Sequence, residues 1–216
     1  MTLNPKPRIR GPEPKTNGAQ HQTASRLITQ ARSELNSVGY LRFDLDRVLK
    51  KSKASKGSLY HHFGSKMGLI TAAETEELKL GLNQDNQVLR EMIRSCANSE
   101  EFLGVVEIAL RAGVGEHVAQ IRRQLIRGVS FANHNKALAN KLNEISSSGT
   151  AFFADSLSIA KDRGWIRQNV QLMSLAFWLQ GLFIGQILGD ISAERPTDEE
   201  WIKVSLQSVS MFLTED

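Results

Sequence analysis

From Thr23 onward the apolar residues return at intervals of three and four. Between Thr23 and Val38 they stand at Ala24, Leu27, Ile28, Ala31 and Leu35, which predicts an amphipathic helix stopped by Gly39. Asp44 is placed to cap a second helix with Leu45, Val48 and Leu49 inward, ending near Ser52. Lys53 and Ala54 make a turn, and Ser55 opens a short third helix whose Leu59 and Phe63, four apart, share the buried side. Lys56, Gly57, Ser58, Tyr60 and His61 project elsewhere, and Ser65 caps a further helix with Lys66 in its first turn. Two short helices joined by a turn of about three residues form a helix-turn-helix, whose second helix enters the DNA major groove. A plain three-helix bundle with a solvated charged face would show the same periodicity.

Helical patterning continues to the end. A helix is predicted from Ser65 to about Ser95, broken or bent near Asn83–Asn86. Asn98-Ser99-Glu100-Glu101 has capping-box spacing and starts the next, to about Ala112. Further helices are predicted from Val118 to about Arg127, over 136–163 up to Gly164, and over the very apolar stretch 169–191. A second capping box, Thr197-Asp198-Glu199-Glu200, opens a last helix to about Leu213. No segment alternates with a period of two, so the fold class is all-α. The run from Leu172 to Leu188 contains Gln180 and Gln186 and is shorter than the ~20 residues of a membrane span, which favours a buried helix.

Charge divides the chain. Residues 1–66 hold 13 Lys and Arg against 4 Asp and Glu, a net of +9, which leaves −5 for the rest of a +4 protein. A basic amino-terminal third on a mildly acidic body is the footprint of a nucleic-acid reader. Lys56 and Lys66 even sit at helix starts, where the dipole disfavours them, which suggests a use outside the fold. Residues 1–22 carry four of the five prolines and read as a disordered basic arm without signal-peptide character. The helix-turn-helix domain follows at 23–70 and a helical body at 71–216. Cys96 is the only cysteine, so neither an internal disulfide nor a cysteine metal site is expected, and the compartment is taken as cytoplasmic.

Gly39-Tyr40, the helix at 44–52 and the run Ser55-Lys56-Gly57-Ser58-Leu59-Tyr60-His61-His62-Phe63-Gly64-Ser65-Lys66 resemble the DNA-binding region of the TetR family of transcriptional regulators. The resemblance covers residues 23 to about 73. It implies a homodimer on double-stranded DNA, with residues 55–63 as recognition helix and a carboxy-terminal domain for dimerisation and a small effector. On this reading Arg42, Lys53, Ser55, Lys56, Gly57, Ser58, Tyr60, His61 and Lys66 form the DNA-binding set. Lys56, Tyr60 and Lys66 would mainly position phosphates, and Gly57, Ser58 and His61 would face the groove. Two positions depart from the family pattern. Lys53 stands where the turn usually has glycine, and a left-handed conformation there costs a side chain about 1 kcal/mol, so either the turn differs slightly or Lys53 is tolerated for an added phosphate contact. Phe43 and Asp44 stand where threonine or serine usually contacts phosphate; Asp44 would repel it, although Arg42 could substitute.

In the body, Gly181, Gly185 and Gly189 recur every four residues and suggest close helix–helix approach. The resemblance gives the last two long helices to the dimer interface, to which this stripe, Trp201, Val204 and Phe212 would be suited. It also implies an internal effector pocket. Candidate lining residues are Phe131, His134, Phe152, Phe153, Phe177, Trp178, Gln180 and Phe183, a composition that fits a plain core equally well. Arg122 and Arg123 are expected in solvent.

No catalytic motif is present: no phosphate-cradling glycine loop, no zinc-protease histidine pair and no nucleophile elbow. No catalytic residue, metal, cofactor or membrane partner is expected. The implied function is a ligand-responsive transcriptional repressor on a palindromic operator. Its alternatives are a constitutive or activating regulator on the same fold without an effector, and a non-sequence-specific DNA-binding protein.

Overall fold

A computed structural model describes residues 17–214, and most of the expected arm, residues 1–16, lies outside them. The chain divides into two compact units, one up to Ala73 and one from Glu74.

The first unit holds α1 (Asn17–Val38), α2 (Leu45–Ser52), α3 (Lys56–Phe63) and the start of α4 (Lys66–Ser95). Helix α1 begins at Asn17 rather than Thr23, so Asn17–Gln22, expected in the arm, is helical. The three-and-four spacing does what it predicts: Leu27, Ala31 and Leu35 of α1 are buried, as are Val48 and Leu49 of α2, Leu59 of α3, and Leu69 and Ile70 of α4. Phe43 is buried just ahead of α2.

The second unit continues α4 and adds α5 (Ser99–Ala112), α6 (Glu116–Ala132), α7 (Lys136–Asp162), α8 (Leu172–Gly185), α9 (Ile187–Ile191) and α10 (Asp198–Ser210). Helix α4 runs unbroken through Asn83–Asn86. Polar helix residues of that kind cost only tenths of a kcal/mol each, too little to interrupt a helix with good formers on both sides. Helix α6 passes Arg127 and ends at Ala132. The apolar stretch expected as one helix starts later, at Leu172, and is interrupted at Gln186. The Thr197–Glu200 box is closed in both directions. At α5 the Asn98 side chain accepts from Glu101 N, while Glu101 Oε2 reaches Ala97 N, one residue before the expected partner.

The core of this unit gathers Ile93, Phe102, Val105, Leu157, Ala160, Ile166, Leu175, Ala176 and Leu213. A single antiparallel bridge, Ile166 with Leu213, ties the α7–α8 connection to the segment after α10, and no strand occurs among the described residues. Helix α8 is not the buried helix its composition predicts. Only Leu175 and Ala176 are buried along it, and Met173 and Phe177 point outward, Phe177 with 71% of its surface exposed. By length and composition alone, Leu172–Ile191 is apolar enough to cross a membrane.

Candidate nucleic-acid interface

The turn between α2 and α3 sets the geometry of the reading head. Ala54 N donates to Leu49 O at 3.1 Å and Lys53 N to Lys50 O at 3.3 Å. That hydrogen-bond pair is a Schellman motif, which requires a left-handed residue between helix and exit. Lys53 supplies it, with φ 52° and ψ 38°, and is the one non-glycine with positive φ among the described residues. The backbone expected of glycine is therefore present with an exposed lysine on it, at a conformational cost of about 1 kcal/mol.

Helix α3 follows at once. Ser55 caps it, its Oγ accepting from Ser58 N at 3.1 Å. Leu59, fully buried, pins one face. On the rest of the surface Lys56, Gly57, Tyr60 and His61 are exposed, and a Cβ added at Gly57 would meet only Ser55 Oγ, at 3.7 Å. Ser58 is half-buried, and its Oγ lies 3.1 Å from Ser55 Oγ, so its hydroxyl already has a partner. The C-terminus of α3 turns sharply through Gly64, at φ 70°. Helix α4 starts so close behind that a Cβ at Gly68 would collide with the Phe63 carbonyl oxygen. Sequence reasoning passed over Gly68. Its absent side chain lets α4 abut the reading helix, with Ser65 Oγ accepting from Gly68 N at 2.9 Å.

Arg42 and Lys53 are exposed. Two other expected cations are already engaged inside the unit. Lys66 donates to the Phe43 carbonyl at 3.1 Å and lies 5.3 Å from the Phe43 ring centroid, so it ties α4 to the loop ahead of α2. Lys56 Nζ lies 3.3 Å from Asp46 Oδ1. Asp44 stands at the α2 N-terminus, where its charge is expected to repel phosphate. Its Oδ1 accepts from Asp46 N at 2.9 Å and Arg47 N at 3.1 Å, filling the anion position of that helix end with the chain's own carboxylate. The Arg47 N–H above all holds this carboxyl below the usual aspartate range. Arg47 also reaches buried Glu34 at 3.1 Å.

The second unit scatters the candidate effector residues. Phe152 stacks under Arg90 at 5.1 Å, and Gln180 Oε1 accepts from Thr150 Oγ1 at 2.8 Å. Phe153 packs against the core, Phe131 is half-buried, and Phe183 lies 5.4 Å from the Arg122 guanidinium. His134 and Phe177 are exposed and do not belong to an interior pocket of the single subunit. An open cavity of about 490 Å³ lies between the α7–α8 connection, the start of α8 and the end of α10. Of the eight candidates only Trp178 lines it, beside Arg167, Leu175 and Phe212. Phe212, expected at the dimer face, meets Trp178 edge-on at 5.3 Å.

Arg122, expected in solvent, is instead 1% exposed. Its Nε and Nη2 donate to Asp190 at 2.8 and 2.7 Å, and its Nη1 donates to the Gly113 carbonyl at 2.7 Å. These guanidinium hydrogen bonds hold the Asp190 carboxyl below the usual range. No local motif announces the pair, because its members are 68 positions apart.

The glycine stripe is open on the subunit. A Cβ at Gly181 or Gly185 would meet nothing within 4 Å, and both are exposed; at Gly189 it would make ordinary contacts with Gln186 and Arg195. Trp201 is half-buried and Val204 is exposed.

Residues 27–73 match the family model of the bacterial regulatory proteins of the tetR family. No curated protein sequence matches the chain. Solved structures share the fold across most of its length. A structure described as a TetR-family transcriptional regulator from Mesorhizobium loti has a TM-score of 0.70 at 17% identity, covering 89% of this chain and 96% of that one. A TetR-family regulator from Cytophaga hutchinsonii has a TM-score of 0.67 at 17% identity, covering 92% and 98%. A structure described as a transcriptional regulator from Saccharomonospora viridis, in complex with choline, has a TM-score of 0.66 at 14% identity, covering 91% and 100%.

Proposed function

We propose that this chain, a TetR-family transcriptional regulator by its DNA-binding region and fold, is a ligand-responsive repressor that binds a palindromic operator as a homodimer. The observation that carries the reading is helix α3. It is anchored by Leu59, entered through the left-handed Lys53 turn, and presents Gly57, Tyr60 and His61 outward on a basic unit. Tyr60 and Lys53 position phosphates, and Gly57 and His61 approach the groove.

Dimerisation is supported by the face that α8 leaves uncovered. Met173, Phe177, Gly181 and Gly185 follow at intervals of four, and Val204 and Met211 are apolar and exposed near the chain's end. An apolar face of this kind seeks a partner. Two open glycines let a partner helix approach closely, and an isologous dimer is the commonest solution. Two reading heads then address two half-sites. An effector bound in the helical body changes their separation, provided that it binds the non-DNA state more tightly. The choline complex of a protein with the same fold supports a small-molecule effector. The rival reading, a regulator without one, draws on the open cavity at the start of α8 sharing only Trp178 with the candidate lining residues.

Selection of tight binders from a random duplex library tests the proposal. Enrichment of an inverted repeat with half-sites about one helical turn apart, or a multiple of it, is the expected result. Binding without enrichment would establish the non-specific alternative. A thermal-shift screen that includes choline separates the effector reading from its rival.

A further inference from the structure

We propose that Asp46 determines specificity by competing with DNA phosphate for Lys56; this rests on α3 being the reading helix. Three acidic side chains stand in the described part of the first unit: Glu34, Asp44 and Asp46. Glu34 is buried against Arg47, and Asp44 is turned onto the first N–H groups of its own helix. Asp46 alone is directed at the reading helix. Its side chain is 78% exposed and its Oδ1 lies 3.3 Å from Lys56 Nζ, one residue past the α3 cap.

Lys56 sits at the positive end of the α3 dipole, an unfavourable place for a cation, and Asp46 offsets that. A phosphate arriving at the start of α3 must displace the carboxylate and then lie beside a like charge. Where α3 finds its own sequence, groove contacts hold the backbone close and drive the exchange. On arbitrary DNA nothing does, and Lys56 stays on Asp46. Non-specific affinity is nearly all counterion release, so withholding one cation lowers it selectively. Asp46 is therefore a positioning residue that acts through Lys56, and the discrimination it supplies needs no base contact of its own.

The test uses a labelled duplex of scrambled sequence, titrated by fluorescence anisotropy between about 50 and 200 mM salt. Asp46→Asn should bind about two- to five-fold more tightly than wild type, the range of an exposed ion pair. Its salt slope should steepen by about 0.9, one added phosphate contact. Asp46→Ser should repeat both changes, and Asp46→Glu should keep wild-type behaviour. In a Lys56→Ala background Asp46→Asn should change neither quantity. Unchanged affinity and slope in Asp46→Asn and Asp46→Ser overturn the proposal, as does a gain of equal size with Lys56 removed. A wild-type protein that binds no duplex at all overturns the reading of α3 itself, and the flat titration identifies that outcome.

Discussion

Replacing Asp190 with alanine strands a guanidinium that is 1% exposed. In the native unit Arg122 makes three short hydrogen bonds, two to Asp190 and one to the Gly113 carbonyl, with the Phe183 ring 5.4 Å away. Asp190→Ala removes two of the three and the carboxylate that pairs with Arg122. Breaking one side of a buried pair costs about 3–5 kcal/mol, because the remaining charge has lost its compensation and gained no water. Against a typical domain stability of about 5–15 kcal/mol, that is a large fraction. The double variant Arg122→Met, Asp190→Leu removes both charges and should cost less than the single, since buried pairs can be exchanged for apolar residues at little loss. Urea unfolding followed by tryptophan fluorescence is the assay. Trp165, Trp178 and Trp201 all belong to the second unit. Protomer concentration must be held fixed, because a dimer's apparent stability depends on it. An Asp190→Ala variant within about 1 kcal/mol of wild type would refute the reasoning, as would a double variant less stable than the single.

Three further outcomes follow from the same geometry. Lys53→Gly relieves the left-handed strain but adds freedom to the unfolded chain, so stability should rise slightly or stay level, by no more than about 1 kcal/mol in chemical denaturation. DNA affinity should fall a little with a shallower salt dependence. A Cβ at Gly185 meets nothing within 4 Å in its own subunit, so Gly185→Leu should split or weaken the dimer in sedimentation while the subunit's circular dichroism is unchanged. The carboxyls of Asp44, Asp190 and Glu200 are all lowered in the fold, chiefly by the Arg47 N–H, the Arg122 guanidinium and the Thr197 N–H respectively. Their stabilisation is complete above the unfolded carboxylate values near ~4 and is lost as pH falls through the lower folded values. Melting temperature measured against pH should therefore drop on the acid side, and Asp190→Ala should flatten that drop.

What was legible in the sequence was local. Asp44, Ser55 and Thr197 announce helix starts because a cap needs only its own next three residues, and Leu27, Leu35 and Leu59 announce the core because helical spacing fixes their faces. At Lys53 the sequence left open whether the turn keeps its left-handed residue without glycine, and the structure shows that it does. What escaped depends on contacts far apart in the chain. The Arg122–Asp190 pair, the capture of Lys66 by Phe43 and the collision that only Gly68 avoids are set by packing between helices. Composition misled at α8. A very apolar helix reads as buried, yet Met173 and Phe177 on α8 are exposed, on the face that the proposed dimer would cover.

The central claim is that α3 reads DNA with the side chains that Leu59 holds outward. Tyr60 tests it most directly, since it is 55% exposed and contributes nothing to the buried core. The measurement is an anisotropy titration of the duplex selected from the random library, with wild type and Tyr60→Ala compared at one salt concentration and the dimer verified by sedimentation. Tyr60→Ala should lose about tenfold or more in affinity, the worth of a hydrogen bond to a charged group, while remaining folded and dimeric. A Tyr60→Ala protein that binds the selected duplex as tightly as wild type, with discrimination against a scrambled sequence intact, would contradict the assignment of α3 as the reading helix.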